Sequence, residues 1–328
     1  MTHRGLVVGV DLGGTKILAA VVDQDARILG RAKRRTRPEL GPAHVIDRIA
    51  QTVTDALSAA GLSLDQIAAV GVGAPSPIDS DGGVVIHAPN LAGWRDLPLG
   101  RLLGDVLGKP VLVENDVNAG TLGEFTLGAG RGSQDMMGVF LGTGIGGGII
   151  LGGRLRAGPR NAAGEIGHMV VAAGGPYCGC GRQGCVEAVA SRTAIERDLR
   201  AAIAAGRKNL LPLPRGTRPV QFTSTVVSRA FADGCPLTRE IIGRAQWYLG
   251  LHAASIINLL DPQMLVYGGG LVHSMGEELL APIRSVAHQH LIRQDGPPVD
   301  IVAAQLGDDA GALGAAVFAQ QSLVEPAG

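Results

Sequence analysis

The chain has 328 residues, 46% of them hydrophobic and 18% charged, with 29 basic residues balancing 29 acidic ones. That length accommodates two domains. The apolar fraction fills a core and excludes disorder, and the absence of net charge leaves no field to gather nucleic acid or an anionic membrane. The longest apolar stretch, residues 139–151, is interrupted by five glycines and does not read as a membrane span. No signal peptide is discernible ahead of the first strand, so a cytoplasmic protein is expected.

Hydrophobic patterning predicts strands over 6–10, 17–23 and 27–35 in a meander, then a helix from Pro42 to about residue 60 with Val45, Ile49, Val53 and Leu57 on one face. A buried strand follows over 67–73, a short helix over 99–107, a strand over 110–114 and a helix over 117–127. Strands over 137–141 and 145–151 flank a glycine turn. Helices are predicted over 187–205 and 237–260, a strand over 264–267 ending in Gly268-Gly269-Gly270, a helix over 275–288, a strand over 299–303 and a closing helix over 310–320. Such alternation argues for α/β layers. Arg31, Lys33, Arg34, Arg35 and Arg37 could contact a phosphate backbone, but their period of two fits a solvated edge strand better.

Three of the four cysteines, Cys178, Cys180 and Cys185, fall within eight positions, with His168 just upstream. A disulfide would leave one of the three unpaired, and Cys178 and Cys180 are too close for an unstrained bridge. Simple buried thiols are the other alternative. Three thiolates and an imidazole can close a tetrahedral zinc site with no open position for water, so a structural zinc is expected. Gly179, Gly181 and Gly184 would let the loop fold around the ion, which would fix Glu187 next to it. Cys235, isolated, reads as a small core hydrophobe.

Residues 8–15 and 139–144 both read as strand, glycine turn, strand, a weak internal repeat. Backbone N–H groups in such turns can cradle phosphates, although a single Gly-Gly-Thr turn is more often a plain hairpin. Asp11 could hold magnesium through water, Lys16 could add positive charge, and Gly268-Gly269-Gly270 would let a nucleotide approach bare backbone. Asp116 follows a strand and precedes a helix. It could be a general base for an attacking hydroxyl or only the cap of the helix. Asn90, Asn115, Glu165, His168 and Glu187 offer the short-range donors and acceptors that a polyhydroxylated ligand needs.

The segments Asp11-Leu12-Gly13-Gly14-Thr15-Lys16, Asn90-Leu91-x-Gly93-Trp94, Glu114-Asn115-Asp116-Val117-Asn118-Ala119, residues 142–148, Glu165-Ile166-Gly167-His168 and the 178–187 segment together resemble the ROK family, which groups bacterial sugar kinases, related open reading frames and repressors. The resemblance spans nearly the whole chain. It implies an α/β, actin-like, ribonuclease H-type fold with two domains around a central cleft. A smaller domain over 1–120 would receive the closing helix (310–322), and a larger one over 121–309 would carry a zinc loop over 168–187. Asp11, Gly13, Gly14, Thr15 and Lys16 would form one phosphate region and Gly142, Thr143 and Gly144 a second, with Gly268, Gly269 and Gly270 beside adenosine. Asn90, Asn115, Asp116, Glu165, His168 and Glu187 would bind the sugar, and His168, Cys178, Cys180 and Cys185 a structural zinc.

The resemblance implies an ATP- and magnesium-dependent kinase of hexose metabolism with Asp116 as base, acting on the 6-hydroxyl of glucose. N-acetylmannosamine, N-acetylglucosamine, fructose or allose are the alternative substrates. A homodimer or dimer of dimers is expected, without nucleic-acid or membrane partners. A sugar-sensing repressor is the reading from another class. The ten residues before Asp11 read as a strand and offer no place for a helix-turn-helix domain. Residues 208–223, basic and proline-containing, resemble nothing and are expected as an exposed loop or subunit contact.

Overall fold

The computed structural model describes residues 5–75, 77–88, 91–209, 211 and 222–324. Asn90 and most of the 208–223 segment lie outside the described residues. The first elements are β1 (Val7–Leu12), β2 (Lys16–Val22), β3 (Ile28–Arg35), α1 (Pro42–Ala59), β4 (Ala69–Ala74), β5 (Ile78–Asp79), β6 (Val84–His87), β7 (Arg95–Leu97), α2 (Leu99–Leu107), β8 (Val111–Asn115) and α3 (Asp116–Leu127). Next come β9 (Met136–Leu141), β10 (Ile145–Leu151), β11 (Arg154–Leu155), α4 (Val186–Ala190), α5 (Arg192–Ala204), α6 (Ser224–Ala232) and α7 (Pro236–Leu260). The chain closes with β12 (Met264–Gly268), α8 (Gly270–Met275), α9 (Glu277–Gln289), β13 (Asp300–Ala303) and α10 (Ala310–Ser322). No helix among the described residues is long and apolar enough to cross a membrane.

One predicted helix is split: that expected over 187–205 breaks at Ser191, whose extended backbone and side-chain bond to the amide of Ala194 start a new helix. The helix expected over 275–288 is α9, which starts two residues late because Gly276, with φ 54°, separates it from α8. The β5–β7 meander and α6 carry too few residues of clear period to be read from sequence.

The chain divides into two compact units: Met1–Gln134 with Gly148–Gly164 and Gln305–Gly328, and Asp135–Gly147 with Glu165–Ala304. The first holds a sheet of order β3-β2-β1-β4-β8. The β1, β2 and β3 strands are antiparallel, and β1, β4 and β8 parallel. The basic strand β3 is the edge, its residues alternating between half-buried and exposed, as charged edge strands do.

Period-two alternation sorts the strands' side chains between two layers. Val8, Val10 and Leu12 join the core that contains α1 residues Val45, Ile49 and Val53. Val7 faces the other way, towards Ala312 and Ala316 of α10, and so do Gly9 and Asp11. The approach of α10 depends on missing side chains. A Cβ at Gly9 would overlap the carbonyl of Ala312, one at Gly71 that of Ala315, and one at Gly314 that of Ala119 in α3. A Cβ on Gly123 of α3 would sit 2.6 Å from the carbonyl oxygen of Ala310. Helix α10 is therefore wedged backbone-to-backbone between the sheet and α3.

In the second unit β9, β12 and β13 run parallel, and β10 follows β9 through the 142–144 turn. The long helix α7 buries Leu237, Ile241, Ala245, Leu249 and Ile256.

Replacing Gly314 by Ala is expected to destabilise the protein by about 1–3 kcal/mol, because the new methyl has only backbone to displace. Gly243→Ala is the control: this exposed α7 glycine has nothing within 4 Å of a built Cβ, and alanine there should be neutral or stabilising by up to about 1 kcal/mol. Urea midpoints measure both, and an unchanged midpoint for Gly314→Ala would refute the wedge.

Candidate active site

In the first unit the register pairs Asp11 with Gly73, and Gly73 with Glu114. The carboxyl ends of β1, β4 and β8 therefore line up, which is where α/β folds collect ligands. Asp11 packs against Gly311 at the start of α10, where a Cβ would lie 3.0 Å from its Cγ. Burial, then the charge of Asp116, raises the Asp11 carboxyl from 3.8 to about 6, with Lys16 opposing and Asp308 adding to the rise. A buried, under-neutralised carboxylate next to a second one suits a divalent cation, whose charge would reverse that shift. Residues 13–16 form a tight hairpin closed by the Gly13 N–H on the Lys16 carbonyl at 2.9 Å, and Thr36 Oγ1 donates to the Gly13 carbonyl at 2.6 Å.

The cap of α3 is Asn115, not Asp116. Asn115 Oδ1 accepts from the amides of Val117 and Asn118, each at 3.0 Å. Asp116 is thereby left as the first helical residue, its Oδ1 accepting from the Val117 amide at 2.9 Å. Buried Glu114 anchors this corner, its carboxylate accepting from Asn115 N at 2.8 Å, Asn118 Nδ2 at 3.0 Å and Ser80 Oγ at 3.0 Å.

Further along α3, fully buried Glu124 accepts from the amides of Ala129, Gln305 and Leu306 at 2.8–3.0 Å, tying down the segment that leads to Asp308. Asp308 pairs with Lys16 Nζ at 2.9 Å. Sequence inspection missed Asp308 as a neighbour of the hairpin because 292 positions separate the partners and no periodicity links them.

In the second unit Cys178, Cys180, Cys185 and His168 converge, with one ligand atom from each lying within 4.8 Å of all the others. No cysteine is in a disulfide. Cys178 Sγ lies 3.6 Å from His168 Nδ1, and Cys180 Sγ 3.8 Å from Cys185 Sγ. A tetrahedral zinc with bonds of about 2.3 Å to sulfur and about 2.05 Å to nitrogen requires about 3.6 and 3.8 Å for those spans, so these two spans match a zinc site. Gly181 and Gly184 have φ of 84° and 79°; Gly179, also expected to need this freedom, is not among the positive-φ glycines. Cys235 is buried.

Glu187 links this loop to the second glycine turn. Its Oε1 accepts from the Cys178 thiol at 3.3 Å and its Oε2 from the Ile145 amide at 3.0 Å. Burial, with a further contribution from Glu187, pushes the metal-free Cys178 thiol up to about 12, against the backbone amide of Cys180; a bound dication would deprotonate it. A side chain on Gly144 would collide with the Glu187 carboxylate, and one on Gly269 (φ 101°) with the backbone of Leu141. The 142–144 turn and the 268–270 glycines therefore lie side by side at the carboxyl ends of β9 and β12. Glu165 and His168 share one short turn, with Glu165 Oε2 3.9 Å from His168 Nε2. Beneath them the buried His252 donates from Nε2 to the Ile166 carbonyl at 3.1 Å, and burial lowers its pKa from 6.5 to about 4.

The ROK family model matches residues 7–322. The chain belongs to the ROK family. A glucokinase from Thermotoga maritima is 36% identical over 317 residues, 97% of this chain and 98% of that one. One from Streptomyces coelicolor is 38% identical over 321 residues, again 97% and 98%. The crystal structure of a ROK family glucokinase from Streptomyces griseus in complex with glucose and AMPPNP matches with a TM-score of 0.82 at 36% identity, covering 97% of this chain and all of that one. The architecture of this ROK chain is accordingly the actin-like ATPase fold that the sequence motifs implied.

The pH dependence of folding has two opposed parts. Asp11 titrates higher in the fold than in the unfolded chain, so the stability it confers in acid is lost as pH rises from about 4 through 6. His252 titrates lower, so its contribution is complete above about 6.5 and is lost as pH falls towards 4. Asp11→Asn is expected to gain up to about 3 kcal/mol over the parent near pH 8 and nothing near pH 4. Urea unfolding at both values measures this, and a pH-independent difference would contradict it.

Proposed function

We propose that this chain is a glucokinase, transferring the γ-phosphoryl group of ATP to the 6-hydroxyl of glucose. The observation that carries the reading is the placing of Asp116 at the carboxyl end of β8, near enough to Asp11 to raise its pKa, in a chain closely similar to glucokinases. Asp116 takes the hydroxyl proton as the new P–O bond develops. Lys16 and the amides of the 13–16 and 142–144 turns carry charge that builds on the phosphoryl oxygens. When bound with the nucleotide, magnesium adds positive charge there, and Asp11 is the residue that would hold it through water. The glycines at 268–270 leave room for adenosine against bare backbone.

Asn90, Asn115, Asp116, Glu165, His168 and Glu187 are proposed to bind the sugar. Zinc, held by His168 Nδ1 and the three cysteines, supplies rigidity and no chemistry. Ligated as a thiolate, Cys178 has no hydrogen to donate, which leaves Oε1 of Glu187 to a sugar hydroxyl. The same reading carries a cytoplasmic enzyme at the entry to glycolysis, assembled as a homodimer or dimer of dimers.

Coupled ADP release with Mg-ATP and a panel of hexoses and N-acetylhexosamines tests the function. Glucose is expected to turn over fastest. Preference for an N-acetylated sugar would move the pocket assignment alone, whereas no turnover with any sugar would overturn the kinase. Asp116→Asn is expected to lose roughly 10²–10⁴-fold in kcat with folding and zinc content intact; activity near the parent's would exclude it as the base.

Elemental analysis is expected to find one zinc in the parent, and Cys180→Ser should lose it together with stability and affinity for glucose. A zinc-free variant of normal stability and kinetics would disprove the staple.

A further inference from the structure

Arg192 opens α5 directly against the second glycine turn. Its backbone N–H donates to the Gly142 carbonyl at 3.1 Å, and its guanidinium donates through one terminal nitrogen to Thr143 Oγ1 at 3.1 Å. The other terminal nitrogen reaches Glu196 at 3.4 Å. Glu196 also pairs with Arg200 at 2.6 Å, so Arg192 shares its carboxylate with a second guanidinium. The Arg192 side chain remains about one-third exposed, and Thr143 at the tip of the turn is exposed.

Two features argue against a purely structural stitch. The backbone bond already joins α5 to the turn, so the side-chain bond is not needed for that purpose. A hydroxyl that accepts from a cation also has its own hydrogen directed elsewhere, and the donated charge makes that hydrogen a stronger donor. An exposed O–H donor, a part-exposed guanidinium beside it and a glycine turn together match the phosphates of a nucleoside di- or triphosphate.

We propose that Arg192 is a phosphate-recognition residue of the nucleotide site, holding the Thr143 hydroxyl as a donor and adding its own charge to the 142–144 turn. Its role rests on the kinase assignment above.

Calorimetric binding of ADP and of adenosine to the full-length protein tests this, with the parent, Arg192→Met and Arg192→Lys compared. Arg192→Met is expected to weaken ADP by about 10–100-fold, the range for hydrogen bonds to charged groups, and adenosine by less than about twofold. Arg192→Lys should fall between, since it keeps the charge and loses the fork; it also reads the effect should the methionine variant fold poorly. Parallel losses for ADP and adenosine would reduce Arg192 to a structural stitch, and unchanged ADP affinity in both variants would also overturn its role. A parent protein that binds neither compound would overturn the kinase assignment, and Arg192's role with it.

Discussion

The close approach of α10 to its neighbours is the constraint on which the first unit depends. Glycines 9 and 71 on the strands, 314 on the helix itself and 123 on α3 remove the side chains that would hold these backbones apart. Dispersion between closely packed atoms is weak per pair and large in sum. With glycine at these crossings the backbones touch directly, and little can slide or repack. Asp11 is therefore held against Gly311, and the start of α3 is held relative to the sheet. The raised pKa of Asp11 follows from the same packing: a carboxylate pressed against a small-residue helix loses water.

Much of this was legible in the sequence because the informative signals are local. Strand alternation, the Pro42 start of α1, the basic edge of β3 and the spacing of three cysteines each lie within a few positions. The fold family was legible because its motifs are spread along nearly the whole chain. What was not legible depends on distant partners or on caps. Asn115 rather than Asp116 caps α3, since the choice turns on which oxygen reaches the amides two and three positions on. Ser191 ends one helix and begins another inside a stretch of uniform helical composition. Glu124 has nothing local to mark it, yet it is fully buried on backbone amides from residues more than a hundred and eighty positions away. Arg192 and Asp308 had no periodic pattern to join them to the glycine turns.

Glu187 shows how one carboxylate can serve two parts of a fold. In the metal-free chain its two oxygens engage the cysteine loop and the amide that follows the 142–144 turn, so the position of the turn and the state of Cys178 are not independent. His252 adds a separate tie, fixing the Ile166 carbonyl in the turn that bears Glu165 and His168. Between them, the loop, the turn and helix α7 form a connected hydrogen-bonded frame, which costs less entropy on ligand binding than a set of separately mobile loops.

The path of the chain between the two units has a consequence for how the protein is made. The first unit is assembled from three stretches of sequence, and its wedge helix α10 comes from the last of them. During synthesis β1, β4 and α3 emerge early but expose glycine-lined faces until residue 322 has been translated. The second unit, completed by residue 304, is thus able to finish folding first, although its sequence begins later. That order would invert the usual N-terminal-first folding of domains, and a premature stop before α10 would leave one face of the first sheet uncovered while the larger core on its α1 side is already complete in sequence.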